Sequence, residues 1–327
     1  MRAAPASRAP AGRVVALCGG VGGAKLAFGL ERALGGALTL IVNAGDDFEH
    51  LGLAICPDID TVLYTLGGLA DKERGWGRAG ESWNFMASLG ELGGETWFNL
   101  GDRDLALHVW RTQQLREGRS LTQIVAEVAR RFGIRATILP MSDDPVRTII
   151  ETSDGALAFQ RYFVERRCAP SVLAIDFDGA DRARLSTPVR DALQASDLTA
   201  IVICPSNPFL SVDPILAIPG LRALIEAAKA PVVAVSPLIG GAAVKGPTAK
   251  IMAELHTPAT PLAIADHYRG LIDGLVIDVA DEAASGSLGV AVKATRTLMT
   301  SDADRERLAR QVLAFAGEIE SEASRAP

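Results

Sequence analysis

The stretch VVALCGGVGGAKLAFGLERAL, residues 14–34, decides the fold of this chain. Val14–Leu17 is a short apolar run typical of a buried strand, and Leu26, Leu30 and Leu34 recur at helical spacing. Glycines join the two patterns. A strand, a glycine turn and a helix in this order direct unpaired helix N–H groups, and the positive end of the helix dipole, at the space above the turn. The stretch therefore predicts the first strand and helix of an α/β sheet, with an anion site between them.

Two familiar phosphate motifs do not match this turn. A Walker loop needs Ser or Thr after its lysine, but Lys25 is followed by Leu26. A dinucleotide fingerprint counted from Gly20 has Lys25 in place of its third glycine. A tight turn that only packs is the alternative interpretation. Lys25 favours the anion site, because a cation on the first helical turn opposes the dipole unless an anion is near.

The composition limits the classes of function. The chain has 327 residues and a net charge of −6 without a basic stripe, which argues against a nucleic-acid partner. No apolar run reaches the roughly 18 residues that a membrane helix needs. The opening MRAAPASRAPAGR lacks the apolar core of a signal peptide, so residues 1–12 are predicted to be a flexible tail. The cysteines show no C-x-x-C spacing, which favours reduced thiols in a cytoplasmic protein over a zinc site.

Strand and helix patterns alternate along residues 13–327, which we interpret as one domain. This alternation predicts an α/β fold with a doubly wound, mostly parallel, Rossmann-like sheet. Residues 67–131 lack a convincing strand pattern and are predicted to be a helical insertion that covers one end of the sheet. Thr148–Phe163 contains an S-D-G turn between alternating runs, which predicts a hairpin. The strand candidates are Val14–Leu17, Leu38–Asn43, Arg135–Leu139, Val172–Phe177, Ala200–Cys204, Val232–Ser236, Leu275–Val279 and Val290–Ala294. The helix candidates are Lys25–Leu34, Thr61–Leu66, Leu121–Phe132, Leu221–Ala228 and Asp302–Phe315.

Small, acidic and turn-forming residues follow the strand candidates, in the segments CGGVGG, NAGDD, PMSDDP, CPSNP and SPLIGG. Because ligands of open α/β sheets bind beyond the carboxyl ends of the strands, these segments predict a site at that edge. Four acids, Asp46, Asp47, Asp58 and Asp60, lie close together in the chain just after the glycine turn. Such a cluster suits Mg²⁺, which takes few carboxylates and shares its other positions with water and substrate phosphates. Capping of a helix that starts near Thr61 is the alternative role for Asp60.

Three further segments are candidates for ligand contact. LGDRD (100–104) has an arginine between two aspartates, PSNPF (205–209) holds Ser206 and Asn207 between prolines, and Lys245 follows a glycine pair. A solvated ion pair or a plain turn is the alternative for each. The chain contains neither G-x-S-x-G nor H-E-x-x-H, so a covalent acyl mechanism or a zinc hydrolase has no support. The residues fit direct phosphoryl-type transfer between two bound substrates, or a nucleotide-binding regulator that does not turn its ligand over.

The motifs, taken in order, resemble those of the CofD family, the transferases of deazaflavin coenzyme F420 biosynthesis. They are CGGVGGAKL, VNAGDD, CPDIDTVLYTLGG, RGWG, LGDRDLALH, LPMSDDPVRT, PSNPF and VAVSPLIGGAAVKGP, and they run over most of the chain. The related gluconeogenesis-factor proteins share the fold and the glycine turn but are less similar between DIDT and LGDRD. They stay as the alternative, a nucleotide-binding regulatory protein.

The resemblance implies a reaction that joins the deazaflavin Fo to a phospho-acid carried as a guanosine diphosphate derivative. The terminal ribityl hydroxyl of Fo attacks the phosphate that bears the acid, and GMP leaves. The acid is of the lactate, enolpyruvate or glycerate type, which the sequence does not separate. The resemblance also implies Mg²⁺ as cofactor and a homodimer, and we expect the cytoplasm as the location.

The resemblance assigns roles residue by residue. Asp46 and Asp60 are the expected catalytic residues and, with Asp58, the expected metal ligands. Asn99 stands where some archaeal members have lysine, so the contact that it makes with Fo is expected to differ. The expected Fo-binding residues are Asp60, Asn99, Asp102 and Arg103. The residues expected near the diphosphate and nucleotide are Gly20, Gly22, Gly23, Lys25, Ser206 and Asn207.

Overall fold

The computed structural model describes residues 12–243 and 246–323. Its strands are, in chain order, β1 (Arg13–Cys18), β2 (Leu38–Val42), β3 (Phe48–His50), β4 (Leu53–Ile55), β5 (Thr137–Pro140), β6 (Arg147–Thr152), β7 (Gly155–Ala158), β8 (Val172–Asp178), β9 (Leu198–Ile203), β10 (Val232–Val235), β11 (Leu238–Ile239), β12 (Ala242–Ala243), β13 (Gly274–Asp278) and β14 (Ala291–Thr295). Its α-helices are α1 (Gly20–Leu34), α2 (Pro57–Leu66), α3 (Asn84–Glu91), α4 (Asp102–Arg116), α5 (Leu121–Arg131), α6 (Thr187–Leu193), α7 (Asp213–Leu216), α8 (Leu221–Glu226), α9 (Thr248–Glu254), α10 (Pro261–His267) and α11 (Asp302–Ala323).

Seven strands form the central sheet in the order β14-β13-β10-β9-β1-β2-β5, and every neighbouring pair in it is parallel. The chain builds outward from β1 through β2 to β5, and then from β9 through β10 and β13 to β14. The strand order therefore reverses between β1 and β9. Every residue of β10 and β13 is buried, as expected for a sheet covered on both faces. The predicted Rossmann-like sheet is confirmed.

The prediction for Val172–Phe177 is wrong about the sheet to which it belongs. The strand forms as β8, but it lies in a separate antiparallel sheet with the order β7-β6-β8. Exposed and half-buried residues alternate along most of β8, unlike the fully buried strands β10 and β13, because β8 packs on one face only. Asp176 and Asp178 were the local signal for this difference, since two charges at alternate positions suit a half-exposed strand.

The predicted hairpin is confirmed in β6 and β7, which pair antiparallel from Ile149 to Thr152. Gly155 ends the turn with a φ of 103°, a conformation that strains residues with a Cβ. The hairpin ends at Ala158, because a single π-helical turn, Arg161–Glu165, follows.

Residues 67–131, all of which the structure describes, contain no strand and one isolated bridge, Ala70–Arg78, as predicted. Helices α3 and α4 lie in this insertion. Helix α5 packs on β5 and is the crossover into the sheet, so it belongs to the fold rather than to the insertion. Ser120 caps α5 with Gln123 in a capping box. The small hairpin β3–β4 was not predicted, since each of its strands has only three residues.

Some expectations fall outside the described residues. The tail, apart from Gly12, and Lys245 are among them. Within residues 12–243 and 246–323, no helix combines the length and the apolar character needed to cross a membrane. All four cysteines are described, and none of them forms a disulfide.

Candidate active site

A cavity of about 510 Å³ lies beyond the carboxyl ends of the strands, where the strand order reverses between β1 and β9. This is the position at which open α/β sheets bind ligands. Its wall combines the start of α1, one side of α2 and α4, and the segments 159–164, 205–211, 236–239 and 297–299.

The glycine turn borders the cavity, and its glycines serve different purposes. Helix α1 begins at Gly20, whose φ of 64° suits glycine and whose open side faces the cavity. A Cβ on Gly22 would lie 2.4 Å from the carbonyl oxygen of Pro205, and one on Gly23 would lie 2.4 Å from Ser206 Oγ. Gly22 also lines the cavity, whereas Gly23 is buried against the loop after β9. Close packing of that loop, as well as any ligand, therefore explains the glycines.

Lys25 lies one turn further into the helix than the sequence indicated. Because α1 begins at Gly20, Lys25 is in its second turn and not in its first. Lys25 lines the cavity, and its ammonium group donates to the carbonyl oxygen of Met299 at 3.0 Å. A cation is thus held beside the amino end of α1, the arrangement that binds anions such as phosphate.

Ser206 and Asn207 line the cavity, but their side chains hold the loop after β9. Ser206 Oγ donates to the carbonyl of Gly19 at 2.8 Å and accepts from its N–H at 3.2 Å. Asn207 Oδ1 accepts from the N–H groups of Phe209 and Leu210, and Nδ2 donates to Thr248 Oγ1. Ser206 therefore holds this loop against the glycine turn, and Asn207 holds it against Thr248.

Asn43 links two of the predicted metal ligands. Its amide Nδ2 lies 3.0 Å from Asp58 Oδ2 and 3.4 Å from Asp46 Oδ1. Asp58 also accepts the N–H of Gly20, so it caps α1 from the neighbouring helix. Asp46 lines the cavity, and its side-chain contacts, to Asn43 Nδ2 and Gln160 Nε2, are both long at 3.4 Å. Of these two carboxylates, Asp46 therefore has the longer side-chain hydrogen bonds.

The buried surroundings of Asp46, Asp47 and Asp58 oppose the ionisation of their carboxyl groups. Burial raises the pKa of Asp46 well above its usual range, and the neighbouring charges of Asp58 and Asp47 raise it further. Burial likewise raises the pKa of Asp47 to about 7 and that of Asp58 to about 6. A divalent cation would favour the ionised forms and offset their repulsion. Crowded carboxylate oxygens beside an anion site are a donor set that fits Mg²⁺.

Asp60 belongs to a different network from Asp46 and Asp58. Arg111 of α4 contacts both of its oxygens, Oδ2 through Nη1 at 3.1 Å and Oδ1 through Nη2. Both residues are almost fully buried. Burial raises the pKa of Asp60, although Arg111 and His108 oppose this shift. The capping alternative for Asp60 is wrong, because α2 begins at Pro57 and no side chain caps it.

Three more residues of the cavity wall surround Asp60. His108 Nδ1 lies 3.7 Å from Asp60 Oδ2, and its Nε2 lies 3.3 Å from Asp104 Oδ1. The Tyr64 hydroxyl donates to the same oxygen of Asp104 at 2.5 Å. Burial opposes ionisation of Asp104, but the bonds from His108 and Tyr64 outweigh it and lower its pKa. The network therefore holds Asp60 and Asp104 in fixed positions.

The expected metal set of Asp46, Asp58 and Asp60 does not form one compact group. Among the described residues, the group whose ligand atoms lie within 4.8 Å of one another is Asp60, Asp104 and His108. Arg111 already supplies a cation to Asp60. Asp46 and Asp58 therefore fit a metal ion better than Asp60 does.

The expected Fo-binding residues are divided by the structure. Asn99 lines the cavity, as Asp60 does. Of the described chain, Asp102 and Arg103 are not part of the cavity wall. Asp102 instead accepts from the Ser82 hydroxyl and from backbone N–H groups at the start of α3. Asp102 of LGDRD therefore anchors the start of α3.

The loop PMSDDP also lies away from the cavity wall described for the structure. It follows β5, the edge strand on the β2 side of the sheet. Ser142 donates to the carbonyl of Arg184, and Asp144 pairs with the guanidinium of the same residue. This acidic loop is a structural connection to the segment before α6.

Several cavity residues were not predicted from sequence. They include aromatic side chains and a buried glutamine. Gln160 and His108 had no distinguishing local pattern. Arg111, which contacts Asp60 but is outside the described cavity wall, follows Asp104 by seven residues on the same helix face, a spacing that could have identified it. The unpredicted aromatic residues are Tyr64, Phe98, Phe159 and Phe163, and Trp76 also lines the cavity.

The fold and the cavity define an α/β protein whose candidate ligand site, where the strand order reverses, combines a helix amino end, a lysine and buried carboxylates. The sequence profile of the CofD family, described as 2-phospho-L-lactate transferase CofD, matches residues 14–315. The chain belongs to the CofD family and is a transferase of coenzyme F420 biosynthesis.

Curated relatives are similar over nearly the whole chain. A phosphoenolpyruvate transferase of Kitasatospora aureofaciens is 44% identical over 318 residues, which cover 94% of this chain and 98% of that protein. A 2-phospho-L-lactate transferase of Methanosarcina mazei is 39% identical over 304 residues, covering 92% and 99%. A solved structure of a UPF0052-family protein from Bacillus halodurans has a TM-score of 0.61 at 17% identity, covering 92% of this chain and 98% of that one. This last likeness shows the fold alone.

Proposed function

We propose that this transferase moves a phospho-acid group from its guanosine diphosphate derivative to the terminal ribityl hydroxyl of Fo, and that GMP is released. The observation that carries the proposal is a single cavity whose wall combines two chemically different sets of residues. Lys25 and the amino end of α1 form a side suited to a diphosphate. Asp60, Asn99 and the aromatic side chains form a side suited to a flat ring with hydroxyl groups.

The donor is held, in this proposal, by the N–H groups at the start of α1 and by the Lys25 ammonium. Asp46 and Asp58 are the residues that would hold Mg²⁺. When bound, Mg²⁺ supplies positive charge for the diphosphate oxygens. The division of the acids supports this assignment, because Asp46 is weakly bonded and Asp60 is already paired with Arg111.

Asp60 orients the attacking hydroxyl of the acceptor. The hydroxyl oxygen forms a bond to the phosphorus that carries the acid, while the bond from that phosphorus to the GMP oxygen breaks. The hydroxyl proton passes to the Asp60 carboxylate as the new bond develops. Arg111 keeps this carboxylate fixed, and its buried position limits competition by water.

Product analysis tests this proposal directly. The purified protein is incubated with Fo, Mg²⁺ and, in separate reactions, the guanosine diphosphate derivatives of phospholactate, phosphoenolpyruvate and phosphoglycerate. Relatives are named for two of these acids, so the comparison also identifies the preferred one. We expect a condensed product of the matching mass and an equal amount of GMP. Nucleotide binding without product would favour the regulatory alternative and contradict the proposal.

We also propose a cytoplasmic homodimer, on the basis of the family resemblance. Light scattering at micromolar concentration checks the oligomeric state, with twice the chain mass of 34.4 kDa expected. A monomer under these conditions would contradict the homodimer.

A further inference from the structure

The segment between β14 and α11, residues 296–301, forms part of the cavity wall and is called here the linker. Thr297, Leu298 and Met299 of the linker line the cavity. The carbonyl oxygen of Met299 accepts the Lys25 ammonium at 3.0 Å. The linker therefore holds the cation that the proposed function places beside the donor diphosphate.

One buried carboxylate fixes the linker at its first part. Asp278, the last residue of β13, is 6% exposed. Its Oδ2 accepts from the Thr297 N–H at 2.7 Å and from the Thr297 hydroxyl at 3.1 Å. Its Oδ1 accepts from the Ala280 N–H at 3.0 Å. Both carboxylate oxygens are thus bonded, and two of the three bonds go to the linker.

The hydrogen bonds of Asp278 are those of an ionised carboxylate that fixes the linker. Burial opposes ionisation of Asp278, but the bonds from Thr297 and Ala280 outweigh it and lower its pKa. Hydrogen bonds to an ionised acceptor are stronger than those between neutral groups. The anchor therefore suits a segment whose position must be reproduced closely.

We propose that Asp278 is a positioning residue for the donor side of the site, acting through Thr297 and the Met299 carbonyl on Lys25. The inference rests on the proposed function, in which Lys25 contacts the diphosphate. Asp278 does not line the cavity, so its effect on a ligand passes through the linker. The acceptor side, formed by α2 and α4, does not share these bonds.

The sharpest test is the affinity for GDP, measured by calorimetry in the presence of Mg²⁺. Asp278→Asn places an amide N–H₂ against the Thr297 donors while keeping the size of the side chain. We expect about tenfold weaker GDP binding, equivalent to about 1.4 kcal/mol. In steady-state turnover, the KM of the donor rises while the KM of Fo stays within about twofold.

A double-mutant cycle with Lys25→Met tests the route of the effect. If Asp278 acts through Lys25, adding Asp278→Asn to Lys25→Met weakens GDP binding by less than about twofold. A full tenfold effect in both backgrounds would overturn the proposal. Thr297→Val, which removes only the hydroxyl bond, gives a second variant should Asp278→Asn fail to fold. We expect it to weaken GDP binding about threefold, and wild-type affinity would overturn the proposal.

The matched control is Asp304→Asn. Asp304 bonds Thr300 and Ser301 at the other end of the linker, where the described cavity wall does not extend. We expect this variant to lose stability but to bind GDP within about twofold of the wild type. Equal weakening by the control would show a general effect of the linker and overturn the role of Asp278.

The wild-type protein separates this inference from the proposed function. If the wild type does not bind GDP, the proposed function and this inference are overturned together. If the wild type binds GDP and Asp278→Asn binds it equally well, this inference alone is overturned.

Discussion

The substitution Asp60→Asn separates the catalytic role of Asp60 from its role in the fold. Asparagine keeps the size of the side chain but removes the charge that Arg111 contacts through Nη1 and Nη2. Its amide group also places a donor against a guanidinium that offers only donors. The variant therefore tests two consequences at once, one for stability and one for turnover.

The stability loss follows from the burial of the pair. Removing one partner of a buried ion pair costs about 3–5 kcal/mol, because the other charge is left uncompensated. The asparagine side chain retains one acceptor oxygen and Asp47 still lies near Arg111, so we expect the lower end, about 3 kcal/mol. Since domains have about 5–15 kcal/mol of stability, the variant remains folded at 25 °C with a melting temperature lower by about 5–10 °C.

Turnover is expected to fall much further than stability. If Asp60 accepts the proton of the acceptor hydroxyl, its neutralisation lowers kcat by about 10²–10⁴-fold. The KM of the guanosine donor changes by less than about twofold, because in this proposal Lys25 and the start of α1, and not Asp60, contact the donor. The measurements are steady-state kinetics at 25 °C, thermal unfolding, and calorimetric titration with GDP.

The double variant Asp60→Asn/Arg111→Met is the stability-matched control. Replacing both members of a buried pair by neutral groups is often close to neutral for stability. We therefore expect the melting temperature to recover while turnover stays low. Activity that recovers together with stability would refute the catalytic role and leave Asp60 as the partner of Arg111. A folded Asp60→Asn variant with more than half of wild-type kcat would refute it as well.

The remaining predictions concern the glycine turn and the metal. Gly20→Ala is expected to raise the donor KM at least fivefold, because its Cβ would enter the cavity, and to cost about 1 kcal/mol of stability, because its positive φ strains a residue with a Cβ. An unchanged donor KM in steady-state kinetics would contradict the anion site. Gly22→Val is expected to give little folded protein by circular dichroism, since its Cβ would lie 2.4 Å from the Pro205 carbonyl; wild-type stability would show that the packing argument is wrong. Treatment with EDTA is expected to abolish product formation and added Mg²⁺ to restore it, whereas full turnover in metal-free buffer would exclude the Mg²⁺ site at Asp46 and Asp58.

The sequence alone determined most strands of the central sheet, several of the helices between them, and their order. The strand, turn and helix of residues 14–34 follow from apolar periodicity and glycine spacing, which act between neighbours in the chain. The alternation of strands with helices was enough to predict the parallel sheet, because parallel strands need a crossover between them. The site also followed in outline, since the loops after β1, β2 and β9 must meet where the strand order reverses.

The tertiary structure alone decided how the charged groups are paired. Asp60 and Arg111 are separated by 51 residues, and their contact depends on how α2 and α4 cross. The same crossing divides the acids into a pair joined by Asn43 and a network around Arg111. Asp278 reaches Thr297 only because β13 and β14 end side by side. Periodicity fixes which face a side chain occupies within its own element, but a buried charge takes its partner from whichever element packs against it, so these pairings could not be predicted from the sequence.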